Sequence, residues 1–192
     1  MSAANRGASR SDLDFYETPE WAVRQLLGRE PLGPAVIDPG CGTGAILRHL
    51  PITAYGVEID PARRRIAQES GGHFVSELDF LANGYARGCF DAAVMNPPYS
   101  LAREFVLRAL EVVKDDGKVC ALLRLNFLGS SRKRFDVVGP GSGLIRVWAL
   151  SKRPSFTGQG TDACDYAWVV WRKGYKGAAT VEVMPMPEVG AA

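Results

Sequence analysis

A short apolar run, residues 90–95, ends abruptly at Asn96-Pro97-Pro98-Tyr99. It has the length of a strand, and Gly88 and Asp91 at its edge mark it as a buried one. Two successive prolines cannot continue a sheet ladder, because neither has an N–H to donate. They also bias Asn96 and Pro97 toward extended geometry. Ser100 then reads as a helix N-cap, with Leu101, Phe105, Val106, Ala109, Leu110 and Val113 at helical spacing up to Gly117. A strand that hands over to a helix through a stiff loop calls for layered α/β packing. Asn96 to Tyr99 then sits at the carboxyl end of a strand, where open α/β sheets bind ligands. The blander alternative is a proline-stiffened turn carrying a packed tyrosine.

The same alternation recurs upstream. Residues 35–38 form a short buried strand, followed by a turn with Gly40, Gly42 and Gly44 and a helix through Leu50. Glycines there permit a tight turn and close approach of a ligand to backbone N–H groups. Gly40, Gly42 and Ala45 also satisfy the relaxed G-x-G-x-x-A fingerprint, so a nicotinamide dinucleotide stays open as a rival ligand. The second strand, residues 54–59, leads through Glu58 and Ile59 to Asp60. An acid at this point can accept from ribose hydroxyls. Asp60 also caps a helix that has Pro61 at its first position and closes at Gly71-Gly72. Residues 74–78 make a weaker third strand, and Asp79-Phe80 follow it. An acid there could accept an adenine amino group while Phe80 covers the ring, or it could be a solvated loop acid.

Residues 118–125, 143–150 and 165–171 read as strands five to seven. No helical pattern separates the last two, so an antiparallel pair at one edge is expected. Before the first strand, Thr18 reads as an N-cap with Pro19 at the first helical position, and Gly28 ends that helix. Residues 1–14 are polar and expected to be disordered. Residues 15–183 are expected to form one domain, and residues 184–192 a flexible Pro-containing tail.

Composition narrows the class without choosing a partner. The chain has 192 residues, enough for one full core, and a formal net charge of +2, too small to argue for nucleic acid. It contains no apolar run of about 18 residues, so no membrane helix is expected. The N-terminus lacks the apolar core of a signal peptide, which points to the cytoplasm. Cys41, Cys89, Cys120 and Cys164 are scattered, with no CxxC pair and no nearby histidine. Reduced thiols are expected, and no metal site. His49 and His73 have no evident partners. Residues 126–142 and 151–164 are long connections, a length that is unusual unless functional or mobile. The first carries Arg132-Lys133-Arg134, either a solvated cluster or a phosphate contact. The second carries Arg153-Pro154-Ser155-Phe156.

Asn96-Pro97-Pro98-Tyr99 resembles the catalytic motif of S-adenosylmethionine-dependent methyltransferases that modify an amino group conjugated to a π system, above all the N6-adenine enzymes. Phe15-Tyr16-Glu17-Thr18-Pro19 resembles the N-terminal cofactor clamp of one permutation class of DNA adenine methyltransferases. Arg153 to Phe156, followed by the aromatic strand that ends at Trp171, resembles their late motif, in which an aromatic packs on the extruded base. The resemblance runs from Phe15 to Trp171 in the order of small forms carried by phages and prophages. It implies a Rossmann-like class I methyltransferase: a mostly parallel seven-stranded sheet with an antiparallel edge strand, and helices on both faces. It implies methylation of adenine N6 in DNA, in a bacterial or phage-infected cell.

The site residues follow from the same resemblance. Asn96, Pro97 and Tyr99 would be catalytic. Tyr16, Thr18, Asp38, Gly40, Cys41 and Gly42 would hold S-adenosylmethionine, together with Glu58, Ile59, Asp79, Phe80 and Asn96. Tyr99, Phe156, Arg132, Lys133 and Arg134 would meet the substrate. A target-recognition region of domain size has no room here, so sequence readout would come from the two long connections, be weak, or depend on a partner. RNA adenine, a protein glutamine, and a silent nucleic-acid-binding module remain alternatives.

Overall fold

The computed structural model describes residues 17–82, 84–129, 131–155 and 162–187. The expected N-terminal tail, Tyr16 of the clamp and Phe156 lie outside the described residues. In chain order the strands are β1 (Val36–Pro39), β2 (Tyr55–Val57), β3 (Phe74–Ser76), β4 (Phe90–Met95), β5 (Val113–Arg124), β6 (Leu144–Ala149), β7 (Tyr166–Arg172) and β8 (Thr180–Val183). They form one sheet in the order β3-β2-β1-β4-β5-β7-β6-β8. Strands β1 to β5 pair in parallel. Strand β7 runs antiparallel to both β5 and β6, and β8 joins β6 in parallel. The mostly parallel sheet and the antiparallel β6–β7 pair match the expectation, with two differences. The antiparallel strand lies inside the sheet, and β8 adds an eighth strand at the edge.

Side-chain alternation splits the core in two. On one face Ala93 and Met95, Val119 and Ala121, and Val169 and Trp171 pack under α3 (Ala102–Val112) and α4 (Phe135–Val138). On the other, Val94, Cys120, Leu122, Trp168 and Val170 pack under α1 (Glu20–Leu27) and α2 (Pro61–Gly71). Central strands buried on both faces are what the continuous apolar runs of β4, β5 and β7 encode.

Local signals held in some places and gave way in others. Asp60 caps α2, accepting from the amides of Ala62 and Arg63 at 2.8 and 3.0 Å, and Gly72 closes the helix at φ 68°. Thr18 does not cap α1: Pro19 occupies the cap position, with no side-chain bond there. Nor does Ser100 cap α3, because Tyr99–Leu101 wind into a 3₁₀ turn first. The helix expected after the glycine turn is only a 3₁₀ turn, Leu47–His49. Met184, expected to begin a flexible tail, is buried, and its amide donates to Ala149 O at 2.8 Å. His73 is buried too, with Nε2 3.2 Å from Pro51 O. Among the described residues, no helix is long and apolar enough to cross a membrane.

One buried acid ties α1's exit to the far strands. Glu30 is 2% exposed and receives Lys118 Nζ at 2.6 Å, Arg146 Nη1 at 3.0 Å and Trp148 Nε1 at 2.9 Å. Burial works against its charge, but these partners more than offset that and hold the carboxyl below its usual range. Glu30→Gln therefore removes the countercharge of two cations and is expected to cost about 2 kcal/mol in denaturant unfolding. A carboxyl lowered in the folded state stabilises above its unfolded value and loses that contribution as pH falls through the folded one. The deficit of Glu30→Gln should accordingly shrink in acid.

Candidate active site

The carboxyl ends of β1 to β4 open onto one cavity of about 210 Å³. Strand β1 supplies Asp38 and, beyond it, Gly40 and Cys41. Strand β2 leads into Glu58 and Ile59, and β3 into Leu78, Asp79 and Phe80. Beyond β4 come Asn96, Pro98 and Leu101, while Arg63 reaches in from α2 and Phe105 from α3. Glu17 and Thr18 line the cavity from the N-terminal side. Glu17 is held over the glycine turn by Arg48 at 3.3 Å and the Thr43 hydroxyl at 3.4 Å.

The glycine turn needs its glycines for backbone shape. Gly40 sits at φ 71°, and a Cβ there would come 3.4 Å from the Phe105 ring. Four of the turn's amides are already engaged. Gly40 N and Cys41 N both donate to Val57 O, at 2.8 and 2.9 Å, and Gly44 N donates to Cys41 O at 2.9 Å. Gly42 N donates to Glu58 Oε2 at 2.8 Å. With those donors committed and no α-helix following, the turn does not form the amide cradle that a pyrophosphate needs.

The cavity is acidic instead. Among the described residues, Glu17, Asp38, Glu58 and Asp79 line it, against one cation, Arg63. Glu58 is 5% exposed, and its second oxygen accepts from Asp60 N at 2.9 Å, so one carboxylate staples the glycine turn to the end of β2. Asp38 is 1% exposed, and neither of its oxygens makes a well-formed hydrogen bond. Burial pushes its carboxyl well above the carboxylate range, the neighbouring Glu58 adds to this, and the Leu47 amide offsets only a little. Burial also raises the Cys41 thiol, which makes it an inert lining group rather than a nucleophile. Asp79 accepts from Leu81 N at 2.9 Å. Phe80 is buried against Phe105, with ring centroids 5.4 Å apart.

At the β4 end, Asn96 Nδ2 donates to Thr18 Oγ1 at 3.1 Å. Thr18 is 5% exposed and, instead of capping α1, holds the Asn96 side-chain amide by its nitrogen. Pro97 is buried behind it. Tyr99 lies beyond the cavity wall, its ring 5.8 Å from that of Tyr166 and 4.8 Å from the Arg124 guanidinium. Burial raises both phenols, Tyr166 to about 12.

No protein-family model and no curated protein matches the chain. Solved structures do. The methyltransferase subunit of a type I restriction-modification system from Streptococcus thermophilus superposes with a TM-score of 0.65 at 18% identity, covering 83% of this chain and 45% of that one. An inferred modification subunit of a type I restriction enzyme from Vibrio vulnificus gives 0.69 at 17%, covering 95% and 49%. Magnesium protoporphyrin IX methyltransferase from Synechocystis, solved with S-adenosylmethionine bound, gives 0.55 at 15%, covering 79% and 76%. The fold is that of the class I methyltransferases. At these identities the likeness is one of fold, and the chain spans about half the length of the two restriction-modification subunits.

Within this methyltransferase fold, Thr18, Asp38, Gly40, Cys41, Glu58, Ile59, Asp79, Phe80 and Asn96 all line the one cavity. Gly42 stands behind it, bonded to Glu58. Glu17, Arg63, Leu78, Leu101 and Phe105 are among the lining residues that sequence reasoning missed. Helical spacing from Asp60 could have pointed Arg63 back toward the strand ends, since the first turn of α2 begins there. The basic cluster is divided. Arg132 and Lys133 are exposed, whereas Arg134 Nη2 donates to Asn126 O and Gly129 O at 3.1 and 2.6 Å and its guanidinium lies over Phe127. Arg134 thus braces its own loop.

Proposed function

We propose that the chain transfers a methyl group from S-adenosylmethionine to the N6 amino group of adenine in DNA. The observation that carries this reading is the Asn96 amide, oriented by Thr18 on the wall of an acidic cavity and followed by two prolines that fix the loop. The cofactor carries a sulfonium and an ammonium against one carboxylate, and a cavity lined by four acidic side chains favours such a net cation. A nicotinamide dinucleotide would bring two phosphates to the same acidic groups and to a turn with four of its amides committed. Ile59 and Leu78, 50% and 49% exposed at the rim, offer the apolar surface that an adenine ring would cover. Asp38 and Glu58 are suited to the cationic and hydroxyl groups of the cofactor.

The bound cofactor supplies an electrophilic methyl. The N6 nitrogen takes it, sulfur keeps the bonding pair, and the extra proton leaves to water. An adenine amino nitrogen is a poor nucleophile because its lone pair is shared with the ring. Asn96 Oδ1 and the Pro97 carbonyl accept its two hydrogens, drawing it toward tetrahedral geometry and stabilising the charge that develops. Most of the acceleration is then positioning, and no general base is required. Tyr99 offers a ring on which an extruded base stacks, offsetting part of the few kcal/mol of unstacking.

Incubation with labelled S-adenosylmethionine and unmodified duplex DNA should yield N6-methyladenine in nucleoside mass spectrometry. RNA and protein fractions from the same tube act as competitors. Label confined to RNA adenine or to glutamine would overturn the DNA assignment and keep the cofactor and fold.

A further inference from the structure

A second cluster stands beside the cavity, built from the ends of β5 and β7, and the transfer chemistry above does not use it. Arg124 and Tyr166 face each other across the β5–β7 ladder at the carboxyl end of β5, the same end of the sheet at which Asn96 follows β4. Arg124 Nε donates to Tyr166 Oη at 3.0 Å, and Tyr166 Oη donates to Asp162 Oδ2 at 2.7 Å. The guanidinium lies over the Tyr99 ring, 4.8 Å from its centroid. Its charge is only loosely matched: Nη2 is 3.8 Å from Asp162 Oδ2, and the Arg124 side chain stays 34% exposed. Asp162 is fixed from behind, since Oδ1 accepts from Cys164 N at 3.0 Å and its own amide donates to Pro154 O at 3.1 Å.

A guanidinium so placed has its plane and one edge set in advance, which suits it to a tetrahedral anion at the solvent side. A long, poorly aligned carboxylate contact is weak and easily exchanged for a closer anion. Any planar base resting on Tyr99 brings its own sugar-phosphate linkage to this rim. We propose that Arg124 is a substrate-binding residue that takes a phosphate next to the methylated nucleotide, with Asp162 standing in for that phosphate while the site is empty. The inference rests on the nucleic-acid reading above and deepens it: the acceptor is a phosphate-bearing strand rather than a free base or nucleoside. Tyr166 holds the guanidinium in place, so Arg124 works as a preset fork rather than a searching side chain.

The test measures fluorescence anisotropy of a labelled adenine-containing duplex over a salt series, for the whole chain loaded with S-adenosylmethionine. Arg124→Ala should weaken binding about tenfold and lower the salt slope by about one. Cofactor affinity and thermal midpoint are measured alongside, since Arg124 does not line the cofactor cavity. Asp162→Asn keeps an acceptor for the Cys164 amide but removes the competing charge, and it should bind the duplex more tightly. A purely structural salt bridge would make both variants weaker. Equal affinity and slope in Arg124→Ala, or weaker binding in Asp162→Asn, overturns the proposal. A wild-type chain that binds no duplex overturns it as well. Whether N6-methyladenine forms in the same preparation reads the adenine assignment separately.

Discussion

Asn96→Ala will fold and bind S-adenosylmethionine, yet transfer methyl about 10²- to 10³-fold more slowly than the parent. That range is the loss seen when one preorganised polar group facing developing charge is deleted. The amide lies at the end of β4, after strand residues that are fully buried, so its truncation leaves the sheet untouched. The stability cost includes the hydrogen bond to Thr18, about 1 kcal/mol. Single-turnover rates at saturating cofactor, with equilibrium dialysis for binding, separate the two effects. Thr18→Val should show a milder version with the same signature: kcat falls while the folded state persists. A rate for Asn96→Ala within a few-fold of wild type would remove the amide from the chemistry.

Glu58→Ala should be nearly as severe, but in binding. Its two oxygens accept the buried amides of Gly42 and Asp60, and deleting them orphans both donors at about 1–3 kcal/mol each. The glycine turn and the start of α2 then lose their common tie, and the cofactor loses an anionic acceptor. We expect S-adenosylmethionine affinity to fall about 100-fold by calorimetry, together with a lower thermal midpoint. Glu58→Gln keeps one carbonyl acceptor and should lie between. Because Glu58 helps to raise the Asp38 carboxyl, both variants should bring Asp38 back toward the ordinary carboxylate range. NMR titration of the Asp38 carboxyl carbon reads that directly.

The parallel sheet was legible because its strands are short apolar runs that end in Gly, Pro or Asp, a pattern that few other arrangements produce. Asp60-Pro61 announced α2 for the same reason: the cap and the proline both act within one turn. Thr18 and Ser100 carried equally good local signals and failed as caps. Thr18 was claimed by Asn96, 78 residues away, a partner invisible to local propensity. Tyr99–Leu101 wound into a 3₁₀ turn ahead of α3, so the residue read as its cap falls inside that turn. The helix expected after the glycine turn was curtailed because backbone bonds of the turn reach across to Val57 and Glu58. Strand β8, Thr180-Val181-Glu182-Val183, does alternate, but it was missed because a four-residue run is too short to stand out and all four residues are exposed, so no core face supports it. Of the site, the acids, the glycine turn and Asn96 at the ends of β1 to β4 could be read in order along the chain. Arg124 and Asp162 could not, since only the antiparallel β5–β7 ladder brings them together.

The four carboxylates around the cavity bear on how a catalyst of this kind would clear itself after each round. Burial, with the neighbouring Glu58, holds the Asp38 carboxyl above the carboxylate range, and a cationic guest beside it favours its charged form. Once the methyl group departs, sulfur becomes neutral while the ammonium stays, so only the sulfonium's share of that attraction is withdrawn. The spent molecule is then held less firmly than the fresh one, so the exchange of old for new runs downhill. The demethylated product should accordingly bind this chain less tightly than S-adenosylmethionine does when the two are compared by calorimetry.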